Sequence, residues 1–280
     1  MLFDAHTHLN SDGYTENERA AVIKGIEDDP AMAYVVDAGS DLADSMAAAE
    51  HAAAYDWCFA TAGVHPHETS RMDEMTLDMI GMIAKKEKVR AVGETGLDFH
   101  YDYSPRDDQR YWFRRQIQLA NELKMPIVVH CREADGECMQ ILKEEGAFSA
   151  ERRSWFPERP VPEGWESAAP DARVLIHCFS GSAEMAEQYA RLGATISICG
   201  PVTFKNNRKT VEVARRIPAG FLTVETDAPF LAPEPKRGKK NIPNYVTYTA
   251  RRVAVIKNMD YDELCDITLE NAKRFYGIDI

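Results

Sequence analysis

The sequence predicts an α/β fold of the TIM-type (β/α)8 barrel, and three observations carry that expectation. Eight short, nearly uninterrupted apolar runs recur along the 280 residues, as in strands buried on both faces of a parallel sheet. Segments of helical spacing separate them, and strands alternating with helices build such sheets. No GxGxxG follows the first run, which disfavours the open doubly wound alternative.

The runs are LFDAHTH at 2–8, AYVVDAG at 33–39, WCFATAGVH at 57–65, RAVGETGLD at 90–98, PIVVHCR at 126–132, RVLIHCF at 173–179, ATISICG at 194–200 and FLTVETD at 221–227. Residues 41–55 are Ala-rich and open on an Asp, both helix signals. Residues 105–124 start with Pro105 at a first-turn position. A helix follows at about 134–146, and another at 182–192 opens on the good N-cap Ser182. Residues 244–256 and 261–276 read as two helices, one closing the barrel and one an extra C-terminal helix. Residues 147–172 hold Pro157, Pro160, Pro162, Pro170, Trp155 and Trp165. As a helix-to-strand connection this stretch belongs to the face away from the catalytic end. It reads as a surface insertion packed by its own aromatics, in a chain whose residues 1–280 form a single barrel domain.

Composition narrows the function classes. Hydrophobic residues are 45% and charged residues 28%, the profile of a globular protein rather than a disordered one. No window offers the apolar length of a membrane-spanning helix, so no membrane partner is expected. The opening MLFDAHTH lacks the basic and apolar segments of a signal peptide. Six cysteines without CxxC pairing suit free thiols in a reducing cytoplasm. The formal charge of −12 argues against a protein that coats duplex DNA, but leaves room for an enzyme with a local basic rim.

The polar residues that end the apolar runs carry the chemistry. The first run ends His6-Thr7-His8, and residues two apart on a strand share a face. Glu94, His130, His177 and Asp227 end four further runs. Unpaired buried carboxylates are costly, so converging carboxylates and imidazoles are best explained by bound cations. Six candidates are too many for one catalytic zinc, which commonly takes three protein ligands. Two ions sharing a carboxylate fit better, with Glu94 the candidate bridge. Cys131 and Cys178 follow the two histidines directly, and by alternation they face the helices, where they are poor ligands.

In order, HTHLN, GVHPHE, GETGLDFHYDYSP, PIVVHCREA, IHCFSG, ETDAPFL and RGKKNIPNYV resemble the TatD family of metal-dependent hydrolases. These are TatD-related deoxyribonucleases within the amidohydrolase-like barrels. The resemblance implies metal ligation by His6, His8, Glu94, His130, His177 and Asp227, with Glu94 bridging. It implies that Asp227 positions or deprotonates the attacking water and that His65 is a further active-site histidine near the scissile group. Glu225 has two readings, a third, weak metal position or a purely structural role. The stretch 147–172 looks longer than the family's usual connection.

Local charge helps choose a substrate. Residues 201–210 contain Lys205, Arg208 and Lys209 without an acid, and residues 228–243 contain Lys236, Arg237, Lys239 and Lys240 against Glu234. Barrels often bind phosphate near the loops after strands seven and eight. Lys205, Arg237, Lys239 and Lys240 are therefore the substrate-binding candidates. Phe99, His100, Tyr101 and Tyr103 either stack on bases or pack beneath their loop. His67 either lines the pocket or braces its turn, and His51 and His100 lack motif support. The preferred function is a metal-dependent phosphodiesterase, a 3′–5′ exonuclease on DNA, acting on single strands or 3′ ends. It uses Asp227, Glu94 and His65 with two divalent ions, zinc, magnesium, manganese or cobalt. Competing readings are hydrolysis of an amide, a lactone or an aminoacyl-RNA ester at the same site, and a non-catalytic metal-stabilised barrel.

Overall fold

A computed structural model describes residues 1–160 and 169–278. The apolar runs are strands β1 (Leu2–Thr7), β2 (Met32–Ala38), β3 (Cys58–Ala62), β4 (Val89–Asp98), β5 (Ile127–Arg132), β6 (Val174–Ile176), β7 (Thr195–Ile198) and β8 (Leu222–Val224). They form one sheet in chain order, every neighbouring pair parallel. The helices are α1 (Glu16–Glu27), α2 (Leu42–Ala54), α3 (Glu74–Ala84), α4 (Arg106–Glu122), α5 (Asp135–Glu144), α6 (Ala150–Ser154), α7 (Ala183–Leu192), α8 (Arg208–Arg216), α9 (Val246–Lys257) and α10 (Tyr261–Tyr276). Among the described residues, no helix is long and apolar enough to cross a membrane.

Local chemistry sets the helix starts. Asp41 caps α2 by accepting from Asp44 N at 2.8 Å, and Ser182 caps α7 by accepting from Met185 N. Four helices lie outside the sequence expectation: α1, α3, α6 and α8. Helix α8 is the instructive case, because Arg208 and Lys209, counted above as a basic loop, form its first turn.

The seam between β8 and β1 is closed by specific bonds. The Asp4 carboxylate accepts from Thr226 N at 2.8 Å and from Thr226 Oγ1 at 2.5 Å. Nearer the site, Asp227 N donates to His6 O and His8 N donates to Ala228 O. These contacts hold the ends of β1 and β8 together, where three of the candidate ligands sit.

Two apolar clusters fill the molecule. The larger lies between sheet and helices. The smaller lines the barrel interior with Phe3, Ala5, Val36, Phe59, Ala91, Val128 and Leu175, and is completed by Phe275 and Tyr276 of α10. Tyr276 stacks on Phe3 and donates to Ala5 O at 2.7 Å. The extra C-terminal helix is thus a plug for the end of the barrel where the strands begin. Polar chemistry is left to the other end.

The stretch 147–172, expected at the surface, sends two arginines inward. Arg152 of α6 donates to Ala172 O, Asn121 Oδ1 and Met125 O. Arg159 donates to Gly193 O and Thr195 Oγ1 and pairs with Asp171. Both guanidiniums are buried, so the stretch ties together the chain entering β5, β6 and β7. Its Pro162 and Trp165 lie outside the described residues.

Candidate metal centre

Two strands shift register on the way to the site. Phe3 and Ala5 face the barrel interior, yet His6 does too, because the β1–β2 ladder shifts between Asp4 and Thr7. The β4–β5 ladder shifts between Val92 and Thr95, so Ala91 and Glu94 both point inward. Such irregularities re-aim side chains near active sites. On β5 and at the end of β6 the plain alternation holds, from Val128 to His130 and from Leu175 to His177. Glycine makes room around Glu94. A Cβ on Gly96 would lie 1.9 Å from His130 O, and one on Gly63 would lie 2.6 Å from Gly93 Cα. No other residue type allows that approach.

All six candidate ligands meet. Glu94 Oε2 lies 3.3 Å from His6 Nε2 and 3.5 Å from His8 Nε2. Glu94 Oε1 lies 2.9 Å from both His130 Nδ1 and His177 Nε2. Asp227 Oδ1 completes the first side, 3.3 Å from His8 Nε2 and 3.9 Å from His6 Nε2. The two oxygens of one carboxylate thus face two pairs of imidazoles, which adjoin where His6 stacks on His177 at 4.0 Å.

The outward nitrogens of three histidines are already engaged. His8 Nδ1 donates to Ala38 O at 3.0 Å. His177 Nδ1 faces Glu225 Oε1 at 3.2 Å, and His130 Nε2 faces Asp98 Oδ2 at 3.1 Å. Each ring, once deprotonated, would turn its lone pair toward Glu94. Lone pairs facing carboxylate oxygens repel unless a cation sits between them, and imidazole with carboxylate donors suits zinc, manganese or cobalt. Carboxylate or carbonyl partners on the far nitrogen are the usual support of metal-binding histidines. The donor set fits divalent ions.

His65 differs. Its Nδ1 accepts from His67 N at 3.1 Å, so the neutral ring carries its proton on Nε2, which lies 3.6 Å from Glu94 Oε1. Burial, with the neighbouring His130, holds its pKa well below the ordinary histidine value. In this tautomer His65 is a neutral hydrogen-bond donor, and its ring also groups with Glu94 and His130 closely enough to hold an ion.

The other charges follow from crowding. Burial would lower the His8 pKa, but hydrogen bonding to Asp227 and the charge of Glu94 outweigh it and raise it to about 9. Burial likewise opposes the charge on His177, yet Glu94 and Glu225 raise its pKa well above the usual value. Glu94 is pulled well below the carboxylate range, against its burial, by His177, His65 and His6. In the metal-free protein, protons on His8 and His177 do part of what cations would do.

Sequence reasoning missed Asp98, a buried carboxylate that also accepts from His67 Nε2 at 2.9 Å. The signal was present, since Glu94, Gly96 and Asp98 alternate on β4. His67 braces the site by joining His65 to Asp98. His51 pairs with buried Asp37 at 2.7 Å, and His100 pairs with Glu133 at the surface. Glu225 supports His177 from behind. Cys131 packs toward the outer core, as alternation predicts. Cys178 does not follow it: its backbone is left-handed (φ 43°), and its sulfur groups with Cys199 and Glu225.

The rim residues sit apart from this centre. Lys205, Arg237, Lys239 and Lys240 are exposed. Lys240 pairs with Glu18 at 2.6 Å, and Arg237 lies over the Phe204 ring. Beside His67, Tyr101 and Tyr103 stack at 5.2 Å with an interplanar angle of 11°. The Arg132 guanidinium covers Tyr101, while Tyr103 is 68% exposed.

Strands, helices and a convergence of imidazoles and carboxylates at the strand ends are those of a metal-dependent barrel hydrolase. A family model described as TatD related DNase matches residues 3–277. The chain belongs to that family and is a metal-dependent hydrolase. It is 40% identical over 278 residues to YabD of Bacillus subtilis, an uncharacterised metal-dependent hydrolase, with 99% of this chain and 100% of that one covered. It is 30% identical over 285 residues to a 3′–5′ ssDNA/RNA exonuclease TatD of Pectobacterium parmentieri, with 99% and 100% covered. Among solved structures, the YjjV TatD homologue of Escherichia coli K12 superposes with a TM-score of 0.84 at 22% identity, with 99% and 98% covered. That last likeness is one of fold.

Proposed function

We propose that this hydrolase removes nucleotides from the 3′ end of single-stranded DNA. In this reading His6, His8, Glu94, His130, His177 and Asp227 hold two divalent ions, of zinc, magnesium, manganese or cobalt. The observation that carries it is the division of Glu94, with Oε2 toward His6 and His8 and Oε1 toward His130 and His177. Likeness to a relative named as a 3′–5′ ssDNA/RNA exonuclease supports the substrate class. Six free cysteines suit a reducing cytoplasm as its location.

When bound, such ions would polarise the phosphoryl group and make water nucleophilic at neutral pH. The chain's own groups do the rest. Asp227, His65 and His130 are the site's more open side chains, 14%, 12% and 17% exposed, whereas His6 is sealed. Asp227 accepts the proton of the attacking water. The His65 Nε2–H donates to the phosphoryl oxygen as its negative charge grows. The free face of Tyr103 receives a base, and base stacking tolerates any sequence. Lys205, Arg237 and Lys239 supply positive charge for the phosphate backbone, with Lys240 shared with Glu18.

The test is metal-replete protein with 5′-labelled single-stranded DNA, using His130→Ala as control. A ladder shortening from the 3′ end, absent in the control, supports the reading. No cleavage with any of the four metals would sink it.

A further inference from the structure

Behind His177 lies a second cluster that the hydrolytic centre does not use. The sulfurs of Cys178 and Cys199 and a carboxylate oxygen of Glu225 lie within 4.8 Å of one another. Glu225 is fully buried, Cys199 is 2% exposed and Cys178 is half-buried. One oxygen of Glu225 is engaged: Oε1 accepts from Cys178 N at 2.5 Å and faces His177 Nδ1 at 3.2 Å. The other, Oε2, is buried without a hydrogen-bond partner. The Cys199 thiol does not serve it, being directed to Thr226 O at 3.2 Å.

A buried carboxylate oxygen that no donor reaches is expensive, and two thiols beside the same carboxylate suit a thiophilic cation. We propose that Cys178, Cys199 and the Glu225 carboxylate form a separate site for a thiophilic divalent ion of the zinc class. Zinc accepts both Cys thiolates and carboxylate oxygens, and with three protein ligands its fourth position is left to a small ligand. Sulfur ligation discriminates against magnesium and manganese. The left-handed backbone at Cys178 departs from strand alternation and lets its sulfur join Cys199 rather than the outer helices. An ion here fixes Glu225, and Glu225 fixes the far nitrogen of His177. The chain then carries two metal environments: an imidazole–carboxylate one for hydrolysis and a thiolate one that steadies a ligand of the first.

Cobalt distinguishes them, because thiolate-to-cobalt charge transfer absorbs in the near ultraviolet and imidazole or carboxylate ligation gives no such band. Chelator-stripped, fully reduced protein, checked for six free thiols, is titrated with cobalt(II) without oxygen. The wild type develops the band. Cys199→Ser loses it and binds one equivalent less zinc by elemental analysis, while Cys131→Ser and Cys138→Ser keep it. Glu225→Gln retains sulfur but weakens cobalt binding at this site about tenfold or more. Circular dichroism confirms that each variant is folded. Visible cobalt absorption from the imidazole site without the sulfur band would overturn the proposal, as would a band that survives Cys199→Ser. Neither readout depends on nuclease activity, so failure of the exonuclease reading would leave this result standing.

Discussion

His130 Nε2 lies 3.1 Å from Asp98 Oδ2, a bond that leaves Nδ1 of the same ring aimed at Glu94. Burial disfavours charge on Asp98, but hydrogen bonds from His130 and His67 hold its pKa far below the ordinary carboxylate range. The carboxylate is therefore ionised at working pH and orients a candidate ligand without touching an ion. Asp98→Ala should fold and should weaken metal binding about 10- to 100-fold. Competition with a chromophoric chelator measures this, and unchanged affinity would remove Asp98 from the site's support.

His65 makes the opposite prediction. Its Nε2–H is a donor and its Nδ1 is taken by His67 N, so removing the ring should not release metal. His65→Ala should keep the wild-type metal content and lose about 10²- to 10³-fold in kcat, the usual cost of one donor to a developing oxyanion. Loss of a metal equivalent in this variant would make His65 a ligand instead.

The raised histidines predict how the metal-free protein responds to pH. His8, raised from 6.5 to about 9, contributes stability that is fully present below pH 6.5 and lost as pH climbs through 9. His177 is raised as well and acts in the same direction. Chelated protein should therefore melt at progressively lower temperature from pH 6.5 to 9, with a smaller decline when divalent ions are bound. At pH 7 metal uptake should release protons, because ions replace those on His8 and His177. Calorimetry in buffers of different ionisation enthalpy reads that release. A pH-independent melting temperature in the chelated protein would contradict the charge assignment.

The Arg132–Tyr101–Tyr103 column ends in an open aromatic face. Stacking on such a face is worth about 1–3 kcal/mol per base. Tyr103→Ala should raise KM for single-stranded DNA by about 5- to 100-fold while leaving hydrolysis of a small base-free phosphodiester unchanged. Equal losses on both substrates would show that Tyr103 supports the loop rather than the base.

Much of this site was legible because buried strands advertise their polar ends. His6, His8, Glu94, His130, His177 and Asp227 each interrupt an apolar run, and all six meet around one carboxylate. Strict alternation then failed where the ladders shift. It would place Asp4 beside His6 and His8, whereas Asp4 lies in the β1–β8 seam against Thr226. Cys178 escaped for a similar reason, because its left-handed backbone lies past the end of β6. Charge counting found the basic rim but not its partners. The hold of Glu18 on Lys240 is not local in sequence, whereas the entry of Arg208 into α8 is, through the Asn207 cap. The inward arginines of 147–172 were hidden because composition marks a stretch as polar without saying which charges find buried carbonyls.

Low-temperature electron paramagnetic resonance of manganese-loaded protein asks whether Glu94 shares its two oxygens between two ions. Ions bridged at about 3.5–4 Å couple magnetically. The wild type at full loading should give a coupled dimanganese spectrum, and Glu94→Gln the signals of isolated ions. An isolated-ion spectrum from fully loaded wild-type protein would contradict that sharing.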